Sequence, residues 1–392
     1  MKSNFDGFKP HFRYLVMTGC YKIMDKPTSK MKETLHTCYR ITVSVIYLIF
    51  LSQHVIRLIQ AKVINTLVFL TLMNSECKVL TINIRNARIE HIIEVIKGSV
   101  FAARNKYQEE LVQRNAVSML RVLRMNLCVS MSCSVLWMIF PLMIRLSGQV
   151  RFSMYYPFET DRLPVFISVV VYVALIVHWV SLFTLSIDCI IVSLYMQAQL
   201  QSQMLRDNLT HLGDVEDDDE DDKMTVKMYR DVESTRFKNI FYRRLVMCKK
   251  RHELIVWLVD EIESIFGTPM VLQILVMAWI ICMTIYKIAA IDILSVEFLA
   301  MIVYLSCILF QLFIYCYFGT QLKDESEFVN QSIYESDWPA VSPRLRRSLL
   351  IMMERCYRPI APCIAYIVPM SLDTFISVVK FSYSLYTFLD RK

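Results

Sequence analysis

The chain lacks the short motifs that carry most enzyme chemistry. Only seven of its 392 residues are glycine, and none forms a Gly-rich phosphate loop. No G-x-S-x-G elbow and no H-E-x-x-H pair occurs. The seven histidines show no metal-ligand spacing, and the twelve cysteines include no C-x-x-C. Neither a zinc site, a structural disulfide nor a resident cofactor is therefore expected. Few glycines and eleven prolines exclude a collagen-like or low-complexity architecture, and no internal repeat is visible. The opening stretch MKSNFDGFKPHFRYLV has neither the apolar core nor the small-residue cleavage site of a secretory signal. Together these absences argue against an enzyme.

Apolar residues are what the chain has in excess. They make up 55% of it, and the mean hydropathy is +0.40. An average soluble domain holds about 45–50%. The excess is concentrated near 41–59, 64–84, 126–147, 165–195, 268–290, 296–320 and 363–388. About 20 apolar residues span a bilayer as a helix, and a helix satisfies its own backbone in lipid. Seven spans are expected. The second is interrupted by Asn74, Glu76 and Lys78. The fourth is longer than one span needs, so it tilts or continues beyond the bilayer.

Basic residues fix an expected orientation. The connections on one side hold 34 Lys and Arg and those on the other hold 8, with Lys380 inside the last span. The positive-inside rule then predicts an all-α integral membrane protein of seven transmembrane helices, N-terminus cytoplasmic and C-terminus extracellular. The net charge of +7 belongs to a face turned to anionic membrane lipid and is not read as nucleic-acid binding. This orientation is opposite to that of G-protein-coupled receptors. Consistently, no Asp-Arg-Tyr follows the third span, no Asn-Pro-x-x-Tyr sits in the seventh, and the outer connections hold no cysteine. The sequons at Asn208 and Asn330 fall inside, where glycans are not added.

The longest inner connection carries GDVEDDDEDDK (213–223), a self-repelling tether without the spacing of a calcium loop. Beyond it, Ile240, Leu245, Cys248, Leu254 and Leu258 share one helical side, so a cytoplasmic helix should lead into the fifth span. SPRLRRSLLIMMERCYR (342–358) has the same character before the seventh. The two either pack together beneath the membrane or lie on the anionic leaflet.

Two faces invite functional readings. In the last span, Asp373, Ser377, Lys380, Ser384 and Thr387 recur at three- and four-residue steps and form one stripe. A charge inside the membrane faces protein or water. Repeated around an assembly, the stripe makes a wet wall; alternatively, Lys380 and Asp373 pair with neighbouring helices. In the third span, SMSCSVLW puts Ser130, Cys133 and Trp137 on one face. Small residues beside a large aromatic suit a mostly apolar pocket, and the same residues also serve ordinary helix packing.

The C-terminal third carries a resemblance. FQLFIYCYFGTQLKDESEFVNQSIYESDW, RRSLLIMMERCYRPI and SLDTFISVVKFSYSLYTFL together resemble the insect odorant receptor family. The family-like features are an aromatic sixth span ending Tyr317-Phe318-Gly319, a polar loop with Ser332, Tyr334 and Trp338, the basic helix, and Ser382-Tyr383-Ser384. The resemblance implies a subunit of a ligand-gated non-selective cation channel in the plasma membrane of olfactory neuron dendrites. Its implied partners are a co-receptor subunit, in a tetramer, and a small volatile organic ligand. The inner connection between spans four and five is shorter than in the co-receptor, which favours an odorant-tuned subunit. A gustatory-type channel and a metabotropic receptor are the alternatives; no Gln follows Tyr383 or Tyr386 as the gustatory signature requires.

The same resemblance implies a division of the chain. Residues 1–40 form a cytoplasmic N-terminal segment, and 41–196 the first four spans with an outer-half pocket. Residues 197–267 hold the tether and an anchor helix, 268–320 spans five and six, 321–358 a loop and a second anchor helix, and 359–392 the pore helix. The implied pocket joins Leu70 and Met73, Tyr172 and Ile176, and Tyr304 and Leu305 to Ser130, Cys133 and Trp137. In the last helix, Ser377, Lys380 and Ser384 would line the pore, and Thr387 and Phe388 would stand at the gate, Phe388 as its hydrophobic constriction.

Overall fold

The computed structural model describes residues 4–22, 30–61, 66–146, 162–213, 235–289, 291, 295–336, 338, 341–364 and 368–390. Residues 214–222 of the acidic tether lie outside them. In chain order the elements are α1 (Lys9–Met17), α2 (Lys30–Ala61), α3 (Thr66–Ile84), α4 (Asn86–Lys97), a 3-10 turn (Ser99–Phe101), α5 (Lys106–Leu146), α6 (Leu163–Thr210), α7 (Thr235–Ala289), α8 (Val296–Glu335), α9 (Pro343–Cys356), β1 (Cys363–Ile364), β2 (Val368–Pro369) and α10 (Leu372–Asp390).

Helix length separates two tiers. α5, α6, α7 and α8 have 41, 48, 55 and 40 residues. At about 1.5 Å per residue they run roughly 60–80 Å, twice the hydrocarbon thickness. All four, with α2, are long and apolar enough to cross a membrane. The 19-residue helices α3 and α10 complete the seven; each spans about 28 Å. The fourth apolar run thus continues beyond one bilayer crossing as a single helix to Thr210.

The basic ends of these helices form a second packed layer with α1, α4 and α9. Arg88 makes a two-pronged ion pair with Glu261 at 2.6 and 2.7 Å and donates to Ser264 Oγ at 2.9 Å. That guanidinium holds Glu261 below the usual carboxylate range. Arg206 and Gln203 of α6 both reach Glu325 of α8, each at 2.8 Å. Arg251 is buried and donates to the carbonyls of Val100 and Ala102, closing the 3-10 turn. Burial lowers its pKa to about 10. Before α1, Phe5 and Phe8 join Phe12 and Leu15 of that helix in the core. Between them His11, lowered to about 4 by burial, contacts Ser193 of α6 at 3.2 Å. α9 buries Leu345, Leu349, Met352 and Cys356 and packs on α8 and α7, so it is part of this layer. The sequon residue Asn208 accepts from Gln108 at 2.9 Å.

The seventh apolar run differs from expectation. It was expected to be helical from residue 363, but the helix begins at Leu372. Cys363–Ile364 and Val368–Pro369 pair antiparallel, Cys363 with Pro369 and Ile364 with Val368. Pro359, Pro362 and Pro369 explain this, because each removes a donor and biases the preceding residue away from the helix. The backbone donors freed here find side chains on the long helices. Ile360 N donates to Ser326 Oγ at 2.8 Å, Cys363 N to Glu263 Oε1 at 2.6 Å, and Leu372 N to Thr320 Oγ1 at 3.0 Å. Gly319, beside Thr320, admits this strap: a Cβ there would stand 2.1 Å from the Met370 carbonyl oxygen.

Gly319→Ala therefore forces the strap off α8. The expected cost is about 1–3 kcal/mol, read as a lower melting temperature of the solubilised chain. An unchanged melting temperature would show that the strap yields freely.

Candidate ligand pocket and pore helix

The bundle is organised by α6, which packs on α1, α3, α5, α7 and α8. From Ser186 to Ala198 every residue of α6 is buried. Asp188 lies in that stretch. Lys78 of α3 forms an ion pair with its Oδ1, Tyr315 of α8 donates to the same oxygen at 2.7 Å, and Gln311 donates to Oδ2. The Lys78 and Asp188 side chains are 1% and 5% exposed. Lys78, which interrupts the second apolar run, thus belongs to a buried polar cluster joining α3, α6 and α8. The signal that would have found the cluster was present: Asp188 is the lone carboxylate of the fourth span and Lys78 the lone lysine of the second.

The expected pocket residues fall in separate groups. On α5 and α8, the Cys133 and Cys307 thiols stand beside one another, and Cys307 Sγ donates weakly to the Val129 carbonyl at 3.9 Å. Tyr304 lies beside both thiols. Ser130, one turn from Cys133, is half-buried. Tyr172 is turned elsewhere: its hydroxyl reaches Gln53 Oε1 of α2 at 3.4 Å and its ring meets Phe50 edge-on. Ile176 sits in the main core, and Leu305 packs with Met277 and Ile281 of α7. Leu70 is half-buried and Met73 exposed. The Trp137 side chain lies outside the described residues.

The last helix has two opposite faces. Leu372, Phe375 and Val378 pack on α7 and α8 beside Met277, Ile281 and Leu312. Ser382, on the same side, donates to the Ala278 carbonyl at 3.1 Å. Half a turn away, Asp373, Ser377, Lys380 and Ser384 are exposed, Thr387 is half-buried, and Phe388 is 60% exposed. Ser377, Ser384 and Thr387 donate to carbonyls one turn earlier at 2.8, 3.0 and 3.0 Å. Among the described residues neither Lys380 nor Asp373 forms an ion pair.

A model of the family described as 7tm Odorant receptor matches residues 60–383. The chain belongs to the odorant receptor family. It is similar to Odorant receptor 46a, isoform B, of Drosophila melanogaster, at 21% identity over 82% of this chain and 80% of that protein. It is 24% identical to Odorant receptor 22b of the same fly, over 41% of this chain and 40% of that one. Matches to Odorant receptors 22b, 2a and 85f span 40%, 38% and 55% of those proteins. The Odorant receptor coreceptor of Aedes aegypti is 31% identical over 33% of this chain and 27% of its own length. The fold is that of the insect olfactory receptor OR5 from Machilis hrabei, solved in complex with eugenol: TM-score 0.81, 16% identity, 98% of this chain and 97% of that one.

In this odorant receptor, Asp188→Ala leaves Lys78 charged and buried. A loss of about 3–5 kcal/mol is expected, measured as disappearance of the folded peak in fluorescence-detected size exclusion. Lys78→Met combined with Asp188→Leu restores the peak if the penalty is the orphaned charge.

Proposed function

We propose that this chain is the odorant-binding subunit of a heteromeric, ligand-gated, non-selective cation channel, working with a co-receptor subunit in the plasma membrane of olfactory neurons. The carrying observation is the pair of opposite faces on α10. One face is docked on α7 and α8, and the polar one is exposed among the described residues. Membrane-embedded charge needs protein or water against it. Copies of this stripe around a central axis supply that water as a conducting path. Likeness to the odorant receptor coreceptor supports a mixed assembly. The eugenol bound by the OR5 receptor supports a small organic ligand.

The reading assigns the chain as follows. Residues 41–196 with 268–320 form the spans and the outer-half pocket. Residues 1–40, 197–267 and 321–358 form the cytoplasmic layer that holds subunits together, and 359–392 the strap followed by the pore helix α10. The N-terminus is inside and the C-terminus outside, in keeping with the basic side chains gathered in the second layer. Ligand contact falls to Ser130, Cys133, Trp137 and Tyr304, with Leu70, Met73, Tyr172, Ile176 and Leu305 shaping the surrounding bundle. Ser377, Lys380 and Ser384 line the pore, and Thr387 and Phe388 form its outer gate.

Odorant-evoked current should require the co-receptor and survive a G-protein blocker; current abolished by the blocker would refute the channel reading. Lys380→Gln should raise cation conductance by removing a like charge from the path, and Phe388→Ala should raise basal current. Unchanged conductance and gating in both variants would assign the stripe to packing alone. Trp137→Ala should shift the odorant dose–response without loss of surface channels.

A further inference from the structure

A second cleft opens between α2, α3 and α6, away from the α5–α8 residues assigned to odorant. It holds about 430 Å³, within the range of small-molecule sites. Its wall is aromatic. Trp179 and Phe183 of α6 meet edge-to-face at 5.3 Å, and Phe183 meets Tyr47 of α2 at 6.1 Å. The Tyr47 hydroxyl donates to the Leu72 carbonyl at 2.8 Å, which fixes that ring. Apolar Ile41, Val45 and Leu48 of α2 line the same cleft and are exposed beside it. The Gly19–Cys20 turn closes one end.

Glu76 of α3 lines this cleft too, half-buried, inside an apolar helix. Among the described residues it forms no ion pair or hydrogen bond. The cleft's one cation, Arg40, donates instead to Asn83 Oδ1 at 2.7 Å. Asn83 is seven residues from Glu76, two helical turns or about 10 Å along α3. Lys78, closer in sequence, is committed to Asp188. A carboxylate in the membrane with no countercharge, facing a cavity walled by aromatic rings, lacks a cation. Ring faces attract desolvated cations as well, most strongly for Trp.

We propose that this cleft is a binding site for protonated amines with an apolar body, with Glu76 as the countercharge and Trp179, Phe183 and Tyr47 as the wall. It is separate from the ligand contacts assigned to Ser130, Cys133 and Tyr304, none of which lines it, and it lies on the α6 face that carries Tyr172 and Ile176. Amphiphilic amines partition into the membrane and reach it laterally, past the exposed apolar side of α2. Arg40 at its far end disfavours amines that carry a second positive charge at that distance.

The test uses the full chain in nanodiscs, with radiolabelled n-octylamine and neutral 1-octanol as matched probes and empty nanodiscs as background. Octylamine should bind saturably and more tightly than octanol. Glu76→Gln should weaken octylamine by about tenfold and leave octanol unchanged. Ser44→Phe, which fills the cleft from α2 with the carboxylate intact, should abolish saturable octylamine binding; it decides the matter if Glu76→Gln fails to fold. Octylamine retained at full affinity by Glu76→Gln or by Ser44→Phe overturns the proposal. So does equal affinity for the two probes, or a co-purified phospholipid in the cleft that octylamine does not displace. Since the readout is binding alone, failure here is independent of whether the chain conducts ions.

Discussion

The carboxylate of Asp188 is the constraint around which the bundle is arranged. A charge at that depth costs several kcal/mol unless it is paired and hydrogen-bonded. Here three helices meet the demand: α3 brings Lys78, and α8 brings Gln311 and Tyr315. Each donor must arrive in register, so the cluster sets how far α3 and α8 slide along α6. Apolar packing in lipid has little directional preference. A satisfied polar cluster supplies that preference, and it lies where α6 becomes buried on every side.

Outside the spans, the same logic recurs with a different reward. Arg88–Glu261, Arg206–Glu325 and Arg251 with its carbonyls each join two elements of the second layer. These groups lie at the watery end of the long helices, where pairing costs less desolvation. The layer therefore tolerates many ionic contacts, while the charged contact described between spans is the Lys78–Asp188 pair. Continuity between the tiers comes from helices that never break, and α7 carries Pro269 within its length without interruption.

Much of this was legible in the chain itself. Helix positions followed from hydrophobic runs, and the helix leading into the fifth span from Leu245, Cys248 and Leu258, all of which are buried. The last helix was readable face by face, because three- and four-residue steps survive as geometry once a helix forms. What stayed hidden depends on which helices become neighbours. Lys78 looked like a flaw in a weak span until α6 stood beside it. Tyr172, the pocket candidate on α6 one turn before Ile176, faces α2, a choice settled by rotation of α6 that periodicity alone leaves open. The proline-bearing strap before α10 looked apolar enough for lipid, and only its prolines marked the boundary.

α8 touches nearly every functional region in turn. Along one uninterrupted rod stand Tyr304 beside the thiols, Gln311 and Tyr315 on Asp188, Gly319 and Thr320 under the strap, and Glu325 on Arg206. From Tyr304 to Gly319 is about 22 Å of continuous helix. No hinge proline or glycine lies between those two residues. Such a rod joins these regions mechanically, and the strap seated at Gly319 and held to Thr320 ties the base of α10 directly to it.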